Sequence, residues 1–311
     1  MTTALITHPD VLGHLTPPGH PERPARIEAV QAALAGPAFA ALLREPAPLA
    51  GQADVLRAHP QGYLEALGAA IPKSGLAALD PDTYVSPGSL RGALRGLGAN
   101  LRAVDMVLGG AVQNAFAAVR PPGHHAEARR AMGFCLLGNI GIAAKYALDH
   151  HGLARVAVVD FDVHHGNGTQ DILWDEGRAL FASTHQMPLW PFTGAAEETG
   201  AHDNVVNVPL PIHADGALFR AEIETKVLPR LAAFDPDLVL VSAGFDAHAA
   251  DPLAQLNLGV EDFAWVTHRL CDIADAHCGG RLVSTLEGGY DLDALAASVA
   301  AHVMVLMERG S

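Results

Sequence analysis

One stretch constrains this chain more than any other: Arg155-Val-Ala-Val-Val-Asp-Phe-Asp-Val-His-His-Gly-Asn-Gly168. Its first half is a β-branched apolar run, the mark of a strand buried on both faces of a parallel sheet. Its second half gathers acids and histidines and closes on Gly166-Asn167-Gly168, a turn signal. Side chains alternate along an extended chain, so Asp160, Asp162 and His164 share a face. Two carboxylates and an imidazole at one strand end are costly unless a cation lies among them, and a divalent metal supplies one. For Asp-x-His alone, a solvated loop after a core strand is the plainer reading, so the other strand ends have to decide.

The rest of the chain supplies a matching framework. Further strands are expected at Ala4–Thr7, Asn114–Val119, Arg178–Ser183, Val205–Val208, Leu238–Ala243 and Arg281–Thr285. Early helices are expected to open at Glu22-Arg-Pro-Ala-Arg26 and run to about Leu43, then around Pro60–Gly68, and over Gly88–Leu108, with residues 44–87 otherwise irregular. Later ones fall near Gly138–His150, Gly216–Ala233, Val260–Ala276 and Leu292–Met307. This alternation predicts an α/β fold with a central, mainly parallel sheet and helices on both faces. No Pro/Ser-rich linker interrupts it, so residues 1–311 read as a single domain.

In such sheets ligands bind beyond the carboxyl ends of the strands. There the sequence places Arg120-Pro-Pro-Gly-His124-His125, then Gly244-Phe-Asp246-Ala-His248, then Glu287-Gly-Gly-Tyr290-Asp291. Adjacent histidines suit acid–base work near neutral pH. Paired glycines let the backbone bend and aim the Tyr290 hydroxyl. Asp162, His164 and Asp246 form a metal set free of cysteine, suited to zinc, with iron(II) or cobalt as alternatives. Three protein ligands leave a position open for water and substrate.

Charge and cysteine usage exclude other classes. A net charge of −14 argues against a nucleic-acid partner. Three scattered cysteines make neither a disulfide framework nor a thiolate site. There is no basic n-region before a long apolar stretch, and no apolar run of about 18 residues. A cytoplasmic protein, neither exported nor membrane-spanning, is expected.

The motifs at Arg120–Ala126, Gly133-Phe134-Cys135, Asp160–Thr169, Gly244–His248 and Glu287–Leu292 together resemble the zinc-dependent histone deacetylase family. Within it the chain is similar to bacterial class II-like amidohydrolases, relatives of acetylpolyamine amidohydrolases and acetoin-utilisation proteins. The likeness runs from His20-Pro-Glu-Arg-Pro24 to the C-terminal helix. It implies an arginase–deacetylase fold and hydrolysis of an acetyl-amide to acetate and an amine. By motif, Asp162, His164 and Asp246 would bind zinc. His125 would be the general base toward the metal-bound water, His124 its electrostatic partner with Asp160 behind it, and Tyr290 the oxyanion donor. Asn167 stands behind His125, where class I enzymes carry Asp, and should leave that imidazole less basic. A structural K+ or Na+ is implied at Asp160, Asp162, His164, Ser183 and Thr184. Phe134 and Trp190, beside Gly133, match the aromatic walls around an acyl-lysine-like chain.

Two departures bear on substrate. Phe192 stands where the family loop has Gly, so a left-handed backbone there would carry strain and redirect the loop bearing Trp190. Leu253 occupies a gatekeeper position where polyamine-selective relatives can carry Glu, which favours acetyl-lysine peptides or small acylated amines over acetylpolyamines. Asp82 is a candidate rim acceptor. A non-catalytic acyl-lysine binding module is the reading from another class. A two-manganese ureohydrolase would need more bridging carboxylates than the chain offers.

Overall fold

Parallel strands cannot be joined by tight turns; each needs a crossover, and here helices supply most of them. The computed structural model describes residues 2–310, so Met1 and Ser311 lie outside the described residues. In chain order come β1 (Thr3–Thr7), α1 (Pro24–Ala33), β2 (Leu43–Pro46), α2 (Gln52–Val55) and α3 (Gln61–Ala70). A small antiparallel pair, β3 (Ala77–Ala78) with β4 (Tyr84–Val85), precedes α4 (Ser89–Leu108). Then follow β5 (Asn114–Ala117), α5 (Asn139–Asp149), β6 (Val156–Asp160), α6 (Asn167–Leu173), β7 (Ala179–Gln186) and β8 (Val205–Leu210). The chain ends with α7 (Gly216–Glu222), α8 (Leu228–Phe234), β9 (Leu238–Ala243), α9 (Val260–Cys278), β10 (Leu282–Leu286) and α10 (Leu292–Arg309).

Eight strands form one sheet in the order β2-β1-β5-β10-β9-β6-β7-β8, and every pairing in it is parallel. The expected α/β architecture is therefore what the chain adopts. Alternation along β6 shows how both faces are filled. Val156 and Val158 pack into the layer with α4 and α5, while Ala157 and Val159 pack into the layer with α9 and α10. The four central strands β5, β10, β9 and β6 are adjacent, and they carry the His-His, Gly-Gly-Tyr, Gly-Phe-Asp and Asp-x-His segments at their carboxyl ends.

Several boundaries differ from the sequence reading. The helix expected to reach Leu43 stops at Ala33, because Gly36-Pro37 breaks it, and Leu43–Pro46 becomes an edge strand on β1. Residues 44–87 hold that strand, two short helices and the β3–β4 pair rather than one helix. Gly166-Asn167-Gly168 does turn the chain, but straight into α6. The helix expected over Gly216–Ala233 is interrupted by π-helical turns at Ile223–Val227, just before Pro229, which has no N–H to give an α-helical ladder.

Behind the central strand ends lies a fully buried ion cluster. Arg120 donates from Nε and Nη2 to the two oxygens of Glu22, both at 2.8 Å, and from Nη1 to the Val11 and His14 carbonyls. Arg26, in the first turn of α1, donates to Glu22 just before that helix and to the Glu287 and Gly289 carbonyls. Burial opposes the Glu22 charge, yet Arg120 and His14 hold its carboxyl well below the ordinary glutamate value of 4.5. A depressed carboxyl stabilises the fold above its unfolded pKa and loses that contribution as pH falls through the folded one. Glu22→Gln should cost about 3–5 kcal/mol at pH 7, since it strands buried guanidinium charge. In denaturant melts the gap from wild type should narrow below about pH 4; a neutral, pH-independent substitution would refute the role.

The loop after β7 contains the strain anticipated at Phe192. Its φ is 62°, and its ring is 73% exposed. A side chain with little to pack against gains nothing from that backbone, so Phe192→Gly should stabilise by about 1 kcal/mol. A lower denaturation midpoint for the variant would show instead that the ring holds the loop.

Candidate active site

The turn after β5 is held from behind by a carboxylate. Glu287 Oε2 accepts from the backbone N–H of Gly123 (2.6 Å) and of His124 (3.2 Å), while its Oε1 accepts from Ser242 Oγ (3.1 Å). Burial raises the Glu287 carboxyl to about 7 against the opposing pull of His124. Gly168 lets α6 start directly under the histidine pair: a Cβ there would collide with the Ala126 carbonyl. In its place the Gly168 and Thr169 N–H groups donate to the His124 carbonyl, which sets Asn167 beneath His125.

The two histidine rings lie 3.9 Å apart but have different partners. His124 Nδ1 is 2.9 Å from Asp160 Oδ2, whereas His125 Nδ1 is 2.8 Å from Asn167 Oδ1. For His124, burial works against the proton, but the Asp162 and Asp160 charges outweigh it and raise the pKa well above 6.5. For His125, burial and the positive charges of His124 and His164 push it well below 6.5. Burial is the largest influence, and the Asn167 hydrogen bond works upward against it. The surroundings thus push the two adjacent rings in opposite directions.

Asp160, Asp162 and His164 share a face, with Phe161 and Val163 buried opposite in the core, but they do not converge on one point. Asp160 turns back to His124. His164 Nδ1 instead lies 3.1 Å from Asp162 Oδ1 and 3.2 Å from Asp246 Oδ2. All three donors fall within 4.8 Å of one another. Burial opposes the His164 proton, yet hydrogen bonds to Asp162 and Asp246 carry its pKa to about 10. Burial and the Asp162 charge raise the Asp246 carboxyl. Glycines leave room for the carboxylates: a Cβ on Gly244 would strike Asp162, and one on Gly288 would strike both Asp246 and Asp162. Two buried acid groups and an imidazole in a cradle of glycines fit a divalent cation of borderline softness.

The residues assigned to a monovalent ion lie nearby. Ser183 is paired with Asp160 across β6 and β7, and its Oγ meets His185 Nδ1 at 3.0 Å. Thr184 Oγ1 is buried without a protein hydrogen-bond partner, which leaves an oxygen available for a cation. Asp105, His150 and His151 form another group of metal-type donors, but at the opposite edge of the sheet, where α4 and α5 end. There Asp105 already accepts from Tyr146 Oη and approaches His151 Nε2 at 2.8 Å.

A cavity of ≈ 210 Å³ opens over His125 and His164; Gly133, Phe134, Trp190, Leu253, Asp82 and Tyr290 line it together with Leu189. Every residue assigned to substrate from the sequence is therefore at this cavity. Gly133 and Phe134 both have positive φ (55° and 66°), and the turn closes between Met132 and Cys135, as in a type I′ hairpin. Trp190 stands edge-on to His125 at 4.7 Å and against Gly133, despite the strained Phe192 nearby. Tyr290 is buried beneath Phe134, with the Arg26 guanidinium 4.8 Å from its ring centre. Burial lifts its pKa well above 10, so its hydroxyl stays a donor. Asp82 is half-buried, and burial with the adjacent Asp80 raises its carboxyl.

Sequence reasoning missed a supporting set. Asp251 Oδ2 accepts from the Tyr290 N–H at 2.7 Å, while its Oδ1 accepts from the Leu253 N–H at 3.0 Å, tying the loops that carry Tyr290 and Leu253 together. Glu127 Oε1 accepts from Asn167 Nδ2 at 2.9 Å. His20 packs on Phe134 at 4.8 Å and bonds the Asp82 carbonyl. Nothing in the sequence marked Glu22, Arg26 and Arg120 as members of one buried ion cluster.

Comparison with known proteins agrees with this layout. Residues 20–306 match the Histone deacetylase domain. The chain is 40% identical over 287 residues to the Histone deacetylase-like amidohydrolase of Pseudomonas aeruginosa, covering 89% of this chain and 75% of that one. It is 42% identical over 233 residues to the Polyamine deacetylase HDAC10 of Homo sapiens, covering 73% of this chain and 34% of that one. The crystal structure of the HDA15 HD domain superposes with a TM-score of 0.93 at 34% identity, covering 99% of this chain and 89% of that one. On these matches the chain belongs to the histone deacetylase family.

Proposed function

We propose that residues 1–311 form a single-domain, zinc-dependent amidohydrolase that removes acetyl groups from acetyl-lysine side chains or similar acylated amines. The observation that carries this reading is the His124–His125 pair, backed by Asp160 and Asn167, beside the Asp162, His164 and Asp246 donor set under one cavity. Zn2+ held by those three residues would polarise the acyl carbonyl and acidify water there, with Fe2+ or Co2+ as chemically similar substitutes. A K+ or Na+ beside Asp160, Asp162, His164, Ser183 and Thr184 would add positive charge behind them.

The chain's own groups do the rest. His125, with Nδ1–H donated to Asn167, presents Nε2 as the acceptor that takes a proton from the attacking water. The His124 cation, fixed by Asp160, stabilises negative charge developing on the acyl carbon's oxygens. Tyr290 donates its hydroxyl to the same oxygen. As the C–N bond breaks, the departing amine takes a proton from the imidazolium at the site. Phe134 and Trp190 flank the substrate's methylene chain and exclude water, and Leu253 and Asp82 meet its outer part.

Apolar Leu253 favours an acyl-lysine peptide. Half-buried Asp82 at the same cavity, and the likeness to a relative named polyamine deacetylase, support acetylpolyamine as the second reading. Three free buried cysteines suit a reducing cytoplasm. The negative chain and the narrow cavity support no nucleic-acid partner, and no helix among the described residues is long and apolar enough to cross a membrane.

Acetate release from an acetyl-lysine peptide and from N-acetylputrescine, with and without a chelator, tests the reaction. Tyr290→Phe and His125→Ala should each lower kcat by about 10²-fold or more, and the chelator should abolish turnover. Release from acetylputrescine alone would reverse the substrate order. Metal-loaded protein inert on both would overturn deacetylation in favour of an acyl-lysine binding module.

The pH profile gives a separate check. His125 is competent only above its depressed pKa, and His124 only below its raised one. The rate should therefore fall on both sides of a plateau that includes pH 7. Asn167→Asp adds negative charge at His125 and should move the acidic limb to higher pH; an unmoved limb would assign it to another group.

A further inference from the structure

We propose that Glu127 acts through Asn167 as the positioning residue that fixes the tautomer of His125. The inference rests on the reading of His125 as general base, and the geometry that points to it is a three-residue chain. His125 Nδ1 meets Asn167 Oδ1 at 2.8 Å, and Asn167 Nδ2 donates to Glu127 Oε1 at 2.9 Å. Nδ2 also faces Met132 Sδ at 3.4 Å, a weak acceptor.

The chemistry follows from what an amide can do that a carboxylate cannot. A carboxylate behind the histidine accepts from Nδ1–H whichever way it turns. An amide has one accepting and one donating end. Rotated by half a turn, Asn167 would offer N–H to Nδ1 and drive the imidazole proton to Nε2, the atom that must be free to accept. Something has to hold the amide one way round. Glu127 does so, because the rotated amide would set its oxygen against the Glu127 carboxylate, acceptor against acceptor.

Glu127 is itself well anchored. Its N–H and carbonyl close a turn with Arg130, and the next residue is tied on both sides: Ala128 N–H donates to Asp171 at 2.8 Å, and the Ala128 carbonyl meets His59 Nδ1 at 3.1 Å. His59 Nε2 in turn accepts from the Gly138 N–H at the start of α5. Asn167 is only 6% exposed, so water offers little substitute for the carboxylate. Glu127 and Asn167 together thus supply the acceptor that a single aspartate would provide.

The test is nitrogen-15 NMR of histidine-labelled, zinc-loaded full-length protein, with His125 assigned by its loss in His125→Ala. Wild type should show a protonated Nδ1 and a bare Nε2. Glu127→Ala should bring up the Nε2–H form and lower kcat/KM by about ten-fold or more, within what a general base supplies, with KM little changed. Adding Asn167→Asp to Glu127→Ala should restore both the tautomer and the rate, because the acid no longer needs orienting. Glu127→Gln fills the same space and should show a measurable share of Nε2–H even if the alanine variant folds poorly. A wild-type tautomer in Glu127→Gln, or a double variant that fails to regain Nδ1–H, would overturn the proposal. A wild type that hydrolyses no acetyl-amide would instead refute the proposed reaction, and the tautomer would still decide the role of Glu127.

Discussion

A single carboxylate, Glu22, fully buried and gripped by Arg120 and Arg26, is the interaction on which the site's architecture depends. An ion pair that far from water is not a source of net stability in itself, because desolvation consumes most of its Coulomb energy. What it provides is uniqueness of assembly. Arg120 belongs to the end of β5, Glu22 and Arg26 to the entry of α1, and Arg26 reaches the carbonyls of Glu287 and Gly289 beyond β10. Any other arrangement of these three segments leaves a guanidinium or the carboxylate buried and unpaired. The His-His turn and the Gly-Gly-Tyr turn are therefore placed relative to each other before either meets a ligand.

In front of that cluster, carboxylates brace main chain across loops. Asp162 Oδ2 accepts from the Gly288 N–H, Asp246 Oδ1 from the Val163 N–H, Glu287 from Gly123 and His124, and Asp251 from Tyr290. Each brace joins the ends of two different strands. Side chains that could hold a cation are thus held by hydrogen bonds to the main chain, which limits how far they can reorganise. The glycines at 244 and 288 belong to the same device, since any side chain there would occupy the space the acids need.

How much of this was legible in the sequence depended on whether a feature was local. Val156–Val159 announced a doubly buried strand because all four residues are apolar, and the alternation that puts Phe161 and Val163 in the core also put Asp162 and His164 opposite. The strand-end residues could be listed because parallel topology sends all carboxyl ends to one edge. Gly36-Pro37, by contrast, ended a helix inside an otherwise continuous apolar pattern, and β2 was lost as a result. Glu127, Asp251 and Arg26 escaped for a different reason. Their partners lie 40, 39 and more than 260 positions away, and nothing in composition or spacing marks an acid or base whose task is to hold a distant backbone or amide.

The histidine pair shows what those distant partners accomplish. His124 and His125 are chemically identical, consecutive in sequence and 3.9 Å apart, too close for both to be cations in a buried site. Which of them keeps the proton is decided by what stands behind each ring. Asp160, at 2.9 Å from His124, adds its charge to that of Asp162 and raises His124; the resulting cation then helps to push His125 down. An amide behind His125 orients the ring without competing for the charge. Two environments push one repeated residue in opposite directions, the division that the proposed acid–base chemistry at neutral pH would use. That division needs a carboxylate on one side and its absence on the other, so the asymmetry between Asp160 and Asn167 is as much a part of the site as the histidines are.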